Sequence, residues 1–386
     1  MTHRAHAAGL RLLTFFGWLG LGVAAAAGIE FQRLPEGGVQ PQAVTDAEHS
    51  VHLVWLGGEP KASDVFYQKF TEGRAVTTSP LRVNSQLGSA IAVGTIRGAQ
   101  FALGRSGRVH VVWNGSNGAR PRPADSSPLL YSRLDDSGKV FEPQRNLIAH
   151  TTDLDGGGTL AADLAGNVFV LWHAGTPGSK TTEDKRRVFL ARSGDDGRTS
   201  SAETPITDAT GACGCCGMRA LADGEGDLFA LFRSARGGVH RETTLLSSRD
   251  HGVTFDRAAV QDWETGMCPM SSAALGVTSR GMLAAWETKG KIYFRHLRTA
   301  VGEANATETV TAGPGAKHPA LATNLRGETL LVWTEGTGWQ RGGDFAWQVF
   351  DAAGKPTAEH GRKSGIPVWS FAAAFARPDG TFVIVY

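Results

Sequence analysis

The sequence has almost no excess of charge, one apolar run of membrane type, no helical periodicity beyond that run, and little sulfur. Its 39 Lys and Arg stand against 37 Asp and Glu, a formal charge of +2. Arg4 and Arg11 account for that excess, and they flank the start of the apolar run 12–23, which the small residues Ala25-Ala26-Ala27 follow. A basic start, a short apolar stretch and a small-residue cleavage site make residues 1–27 a signal peptide in pattern, and the run is short for a bilayer span. Its removal leaves residues 28–386 with zero formal charge. A neutral chain has no electrostatic attraction for nucleic acid or an anionic membrane, so neither is an expected partner. The expectation is an exported protein, periplasmic or secreted, free of the membrane after cleavage. No amphipathic helix follows the signal, and 50 glycines imply many tight turns. The chain therefore reads as all-β.

What fills it is a repeat. An apolar strand, a polar turn and a second apolar strand ending in an aromatic residue recur along the chain. The second strands include Val51-His52-Leu53-Val54-Trp55, Val109-His110-Val111-Val112-Trp113 and Val168-Phe169-Val170-Leu171-Trp172. Further copies end at Phe232, Trp286, Trp333 and Tyr386, a spacing of 47 to 60 residues. That is the period of a four-stranded propeller blade. The turns between the paired strands, such as Arg105-Ser106-Gly107 and Pro378-Asp379-Gly380, suit tight hairpins. The strands are continuous apolar runs, as expected of strands covered on both faces. Seven such hairpins are present, so the count favours seven blades over six. The chain stops after the last inner strand, and the segment Ile29 to Leu34 is placed to pair there and close the ring.

A second motif falls in the outer strands. Ser248-Arg249-Asp250-His251-Gly252-Val253-Thr254-Phe255 is a complete Asp-box, S-x-D-x-G-x-T-[FW]. The run 193–200 matches it except for the last aromatic, and 132–141 is a looser copy. On these boxes and the blade period, the chain resembles the sialidase-like, Asp-box β-propeller superfamily over all of residues 28–386. The resemblance implies the fold, usually with six blades; Asp-boxes are structural in that family. Its enzymes use an arginine triad, an Asp acid/base and a Tyr nucleophile assisted by Glu. Arg33, in an echo of the family's opening motif, and Asp64, Arg219 and Glu287 are the corresponding candidates here. The four tyrosines, Tyr67, Tyr131, Tyr293 and Tyr386, all sit within strands, which leaves the nucleophile without a clear counterpart.

The sulfur is concentrated. All four cysteines, and three of the four methionines after the initiator, lie in 212–218 (ACGCCGM) and 266–270 (GMCPM). Each segment immediately precedes the innermost strand of a blade, and the two blades are neighbours. Blade-to-blade connections share one rim, so the segments should meet beside the channel mouth. Cys213, Cys215, Cys216 and Cys268, with Met218, Met267 and Met270, suit a soft metal such as copper. His173 and His318 are aimed by the topology at the same rim. Disulfide bonding is the competing reading, since the exported compartment is oxidising. Zinc is a third, although the Cys-x-Cys-Cys run is not read as a zinc knuckle. The functional expectation is a non-hydrolytic binding protein taking a soft metal ion or small molecule at the channel mouth, or carrying a thiol/disulfide site. The alternatives are an exo-sialidase or other glycoside hydrolase, and a scaffold that binds another envelope protein with structural disulfides.

Overall fold

A computed structural model describes residues 28–71, 79–123, 126–178, 182–208, 211–278, 280–297, 308–310 and 312–386. The signal peptide expected over 1–27 lies outside the described residues. Helical structure among them is confined to three single turns of 3-10 helix. Six sheets have four strands in chain order, and a seventh has three. The first blade is Val39–Thr45, Val51–Glu59, Ala62–Phe70 and Leu81–Arg82. The fourth is Arg219–Ala222, Leu228–Arg233, Thr243–Ser248 and Asp256–Gln261, and the fifth opens with Ala274–Thr278 and Gly281–Thr288. Innermost strands of successive blades touch around a complete ring of seven, so the count of hairpins holds against the six blades the resemblance implies. Ring closure is made by Ile29–Gln32, which pairs in parallel with Phe382–Val385.

The continuous apolar runs are explained by packing. Every residue of Val109–Asn114, Val168–Ala174 and Leu228–Arg233 is buried, because each second strand is sandwiched between neighbouring blades. The blade-end aromatics Trp113, Trp172 and Trp286 are among the largest fully buried side chains.

The Asp-boxes occupy the turn between third and fourth strands. In the complete copy Asp250 Oδ1 accepts the Ser248 hydroxyl at 2.7 Å and the Thr254 N–H at 2.9 Å, while Gly252 N–H reaches Ser248 Oγ at 2.8 Å. These bonds hold the Asp250 carboxyl below the usual carboxylate range, led by the Thr254 hydroxyl. The near copy adds a second task. Asp196 is turned toward the second blade, where it meets Arg108, Arg133 and His110, and His110 Nδ1 is 2.8 Å from Tyr131 Oη. The first blade repeats the arrangement with Asp46, His52 and Tyr67.

Candidate thiol and metal centre

The connection into the fourth blade is folded by its own backbone. Cys216 N–H donates to the Cys213 carbonyl at 3.2 Å, a tight turn that brings residues three apart together. Cys213 N–H is held by the Arg233 carbonyl at 2.9 Å and Gly217 N–H by the Ser271 carbonyl at 2.9 Å. Gly214 N–H donates to Glu183 at 3.0 Å. The turn is thus tied to the third, fourth and fifth blades at once. A Cβ at Gly217 would stand 3.0 Å from the Ser272 Cβ, a tight contact that shows how closely the two connections approach there.

The sulfurs converge. Ligand atoms of Cys213, Cys215 and Cys216 all lie within 4.8 Å of one another, and Cys213 Sγ is 3.4 Å from Cys215 Sγ. Cys215 is disulfide-bonded to Cys268, with 6.4 Å between the Cα atoms, which joins the two sulfur-bearing segments. Cys213 and Cys216 are buried thiols. The cluster could therefore hold a metal, although all four cysteines do not enter it as thiolates in this state.

The surroundings are charged. Arg241, only 4 % exposed, pairs with Glu183, yet its Nε and Nη1 are buried with no hydrogen-bond partner. It lies close enough to both thiols for its charge to act on Cys213 and to be acted on by Cys216. Arg233 donates to the carbonyls of Arg241 and Glu287, and its charge favours the Cys216 thiolate. The interaction between Cys213 and Cys216 pushes the Cys213 thiol well up, and burial adds to that. Burial opposes a thiolate at Cys216 too, but the bond from Cys213 and the nearby Arg233 outweigh it. One sulfur of the pair is therefore kept protonated and the other favoured as the anion.

The remaining candidates are dispersed. Met218 is buried in the apolar core between the third and fourth blades, Met267 is 73 % exposed, and Met270 is half-buried. His173 Nε2 donates to the Cys216 carbonyl at 3.0 Å, so it touches the turn's backbone. Burial drives it down to about 4 and keeps it neutral. His318 is held to about 3 by burial and lies 3.1 Å from Ser272 Oγ. Neither histidine belongs to the group of three cysteines. Asp64 accepts Asn84 Nδ2 and the Gly88 N–H, Arg33 lies over the Tyr386 ring, and Glu287 is paired with Arg233. Arg219 points to Gln100 and Gln42. Among the described residues no hydrogen bond or ion pair joins any two of Arg33, Asp64, Arg219 and Glu287. The Tyr67 and Tyr131 phenols are each hydrogen-bonded to a histidine.

The channel itself differs from expectation. A cavity of about 610 Å³ follows the innermost strands and is lined by the hairpin-turn residues Asp46, Glu48, Ser106 and Gly107, so it opens on the rim away from the cysteines. On the cysteine rim Ile96 accepts the Gly157 N–H, Gln40 Nε2 reaches the Gly94 carbonyl, and the loop 91–98 meets Trp339 of the sixth blade beside Gly94 and Gly217 of the fourth beside Ile96. The cysteines and the open cavity occupy opposite rims.

Sequence reasoning also missed a pairing present in the spacing. Cys213 and Cys216 are separated by two residues, the C-x-x-C interval, and these are the two that stay reduced. Glu183, which comes from the third blade to pair with Arg241, had no local signal.

The fold is that of a sialidase-like β-propeller. No protein-family model matches the sequence, and no curated protein does. Among solved structures, the chain is similar to the Hadza microbial sialidase Hz136, at 13% identity and TM-score 0.51, over 87% of this chain and 76% of that one. It is similar to the NanB sialidase from Streptococcus pneumoniae at 9% identity and TM-score 0.51, over 87% and 80%. The alpha-L-arabinanase of Penicillium chrysogenum matches at 13% identity and TM-score 0.50, over 82% and 94%. Proteins named for different chemistries share this scaffold, so the likeness speaks to fold alone.

Proposed function

We propose that this protein is an exported, non-hydrolytic binding protein that takes a soft metal ion, Cu(I), at Cys213, Cys215 and Cys216. The observation that carries the reading is the convergence of three cysteine ligand atoms within 4.8 Å in a connection tied to three blades. Thiolates select soft, low-coordinate ions, whereas structural zinc takes four ligands, and among the described residues no His, Asp or Glu joins the three. Three thiolates around a monovalent ion leave net negative charge, and the unpartnered nitrogens of Arg241 fit that need. The Cys215–Cys268 disulfide is the closed form of the site. Its reduction by an external dithiol, which supplies two electrons and two protons, frees Cys215 as the third ligand. An envelope protein that delivers or accepts Cu(I) is the partner this reading calls for.

The test is competition against a chromophoric Cu(I) chelator under anaerobic conditions. The reduced protein is expected to hold one Cu(I), the disulfide form to bind it more weakly, and C213S/C216S to lose it. A reduced protein that binds no better than C213S/C216S, or that retains zinc and releases Cu(I), overturns the reading.

A further inference from the structure

The sulfur positions carry an activity that needs no metal. The geometry points to an internal thiol–disulfide exchange, in which the disulfide between Cys215 and the surface residue Cys268 is transferred to the buried pair Cys213–Cys216. Cys213 Sγ lies 3.4 Å from Cys215 Sγ, at the contact from which a sulfur attacks a disulfide. Cys268 is exposed, whereas Cys213 and Cys216 are buried. Cys216 lies within the same 4.8 Å cluster and stands at the C-x-x-C interval from Cys213.

The exchange balances without an outside oxidant. In the first step Cys216, the sulfur favoured as the anion, takes the Cys213 proton, and Cys213 attacks Cys215 Sγ; a Cys213–Cys215 bond forms, the Cys215–Cys268 bond breaks, and Cys268 leaves as a thiolate. In the second step the Cys268 thiolate takes that proton from Cys216, which attacks Cys213 Sγ; a Cys213–Cys216 bond forms, the Cys213–Cys215 bond breaks, and Cys215 leaves as the thiolate. One disulfide is present throughout. The two attacking sulfurs, Cys213 and Cys216, are the ones whose charge Arg241 meets, and its Nε and Nη1 are buried and unpartnered. The consequence is a two-ended site. Its outer end, Cys268, can meet the thiol of another protein, and its inner end stores the disulfide out of solvent. The substrate class is a protein dithiol or disulfide.

The experiment uses the full chain in its disulfide form, with no reductant and with a Cu(I) chelator present, so that metal plays no role. Iodoacetamide is added, and alkylated cysteines and disulfides are mapped by mass spectrometry over time. Cys268 is expected to become alkylated as exchange frees it, with Cys213–Cys216 accumulating as the second disulfide. C213S removes the attacking sulfur, and its Cys268 should stay bonded and unlabelled. C216S keeps the attacking sulfur but lacks its proton acceptor and the second step, so Cys268 should still label, more slowly, while Cys213–Cys215 accumulates. This variant keeps the test decisive even if C213S folds poorly. Labelling of Cys268 at equal rates in the wild-type protein and C213S overturns the proposal, as does a C216S protein that labels nothing. Failure to bind Cu(I) in the competition assay leaves these outcomes untouched, so the two readings fall separately.

Discussion

Replacing Gly197 by alanine tests whether the near-complete Asp-box joins two blades. Gly197 has φ of +76°, and a Cβ there would stand 1.9 Å from Tyr131 Oη and 3.1 Å from His110 Nδ1. Those two atoms form a buried hydrogen bond of 2.8 Å in the second blade. An L-residue in this left-handed conformation costs about 1–2 kcal/mol, of which the stiffer unfolded chain returns about half. Breaking the buried hydrogen bond adds about 1–3 kcal/mol, because both partners lose it away from water. The expected loss is therefore about 2–4 kcal/mol. Gly138, in the looser box, provides the control: its φ is +69°, and nothing lies within 4 Å of its would-be Cβ. Gly138→Ala should cost only about 1 kcal/mol, the backbone term by itself. Urea unfolding of the two variants and the parent, followed by tryptophan fluorescence, gives the difference. Equal losses for Gly197→Ala and Gly138→Ala would refute the inter-blade contact as the source.

Two more outcomes are expected. The carboxyls of Asp46 and Asp196 are held at about 2: burial opposes their ionisation, and the bonds from His52 and Lys69, and from His110 and Arg108, outweigh it. Because the folded values lie below the ordinary 3.8, the stability they supply is complete above about pH 4 and is lost as pH falls towards 2. Urea midpoints between pH 5 and 2 should fall, less steeply in Asp196→Asn, and parallel slopes would count against Asp196. At the sulfur site, Arg241→Met should weaken Cu(I) binding by about tenfold to a hundredfold, the loss of a charge-assisted contact. Arg236→Met, which removes an exposed partner of Glu242 on the same loop, should leave it unchanged in the chelator competition. Equal effects of the two would assign Arg241 a general electrostatic role.

The fold was legible because a propeller writes itself into sequence as a period. Each second strand is buried on both faces, so hydrophobicity persists along Val168–Ala174 without alternation, and the aromatic at its end recurs once per blade. The Asp-box is legible for another reason: its hydrogen bonds close within seven residues, from Ser248 to Thr254, so no distant partner enters them. The pairing of Ile29–Gln32 with Phe382–Val385 could be anticipated because a ring with an odd final hairpin leaves an edge to be covered. Asp196 was not legible. Its carboxylate serves the neighbouring blade from a variable position of the box, whereas Asp195 fills the fixed Asp position and serves its own turn.

The sulfur site divides along the same line. Proximity of the two segments followed from topology, because connections of neighbouring blades share a rim, and the Cys215–Cys268 disulfide agrees with it. Which cysteine faces which way did not follow. Topology fixes the place of a connection, whereas the direction of each side chain depends on the turn closed by Cys216 N–H on the Cys213 carbonyl and on anchors at Arg233, Ser271 and Glu183. Two of those anchors, Ser271 and Glu183, lie on other connections or blades. Just beyond the turn Met218 enters the core, while Met267, on the other connection, stays in solvent, so a shared composition of cysteine and methionine did not mean a shared site. Composition reports which chemistry a rim can offer; the turn decides which sulfurs offer it together. A Cys213–Cys216 pair beside a Cys215–Cys268 bond is an asymmetric arrangement, with one disulfide toward solvent and one dithiol away from it. That asymmetry gives direction to any exchange with an outside thiol, because only the Cys268 end can be reached first.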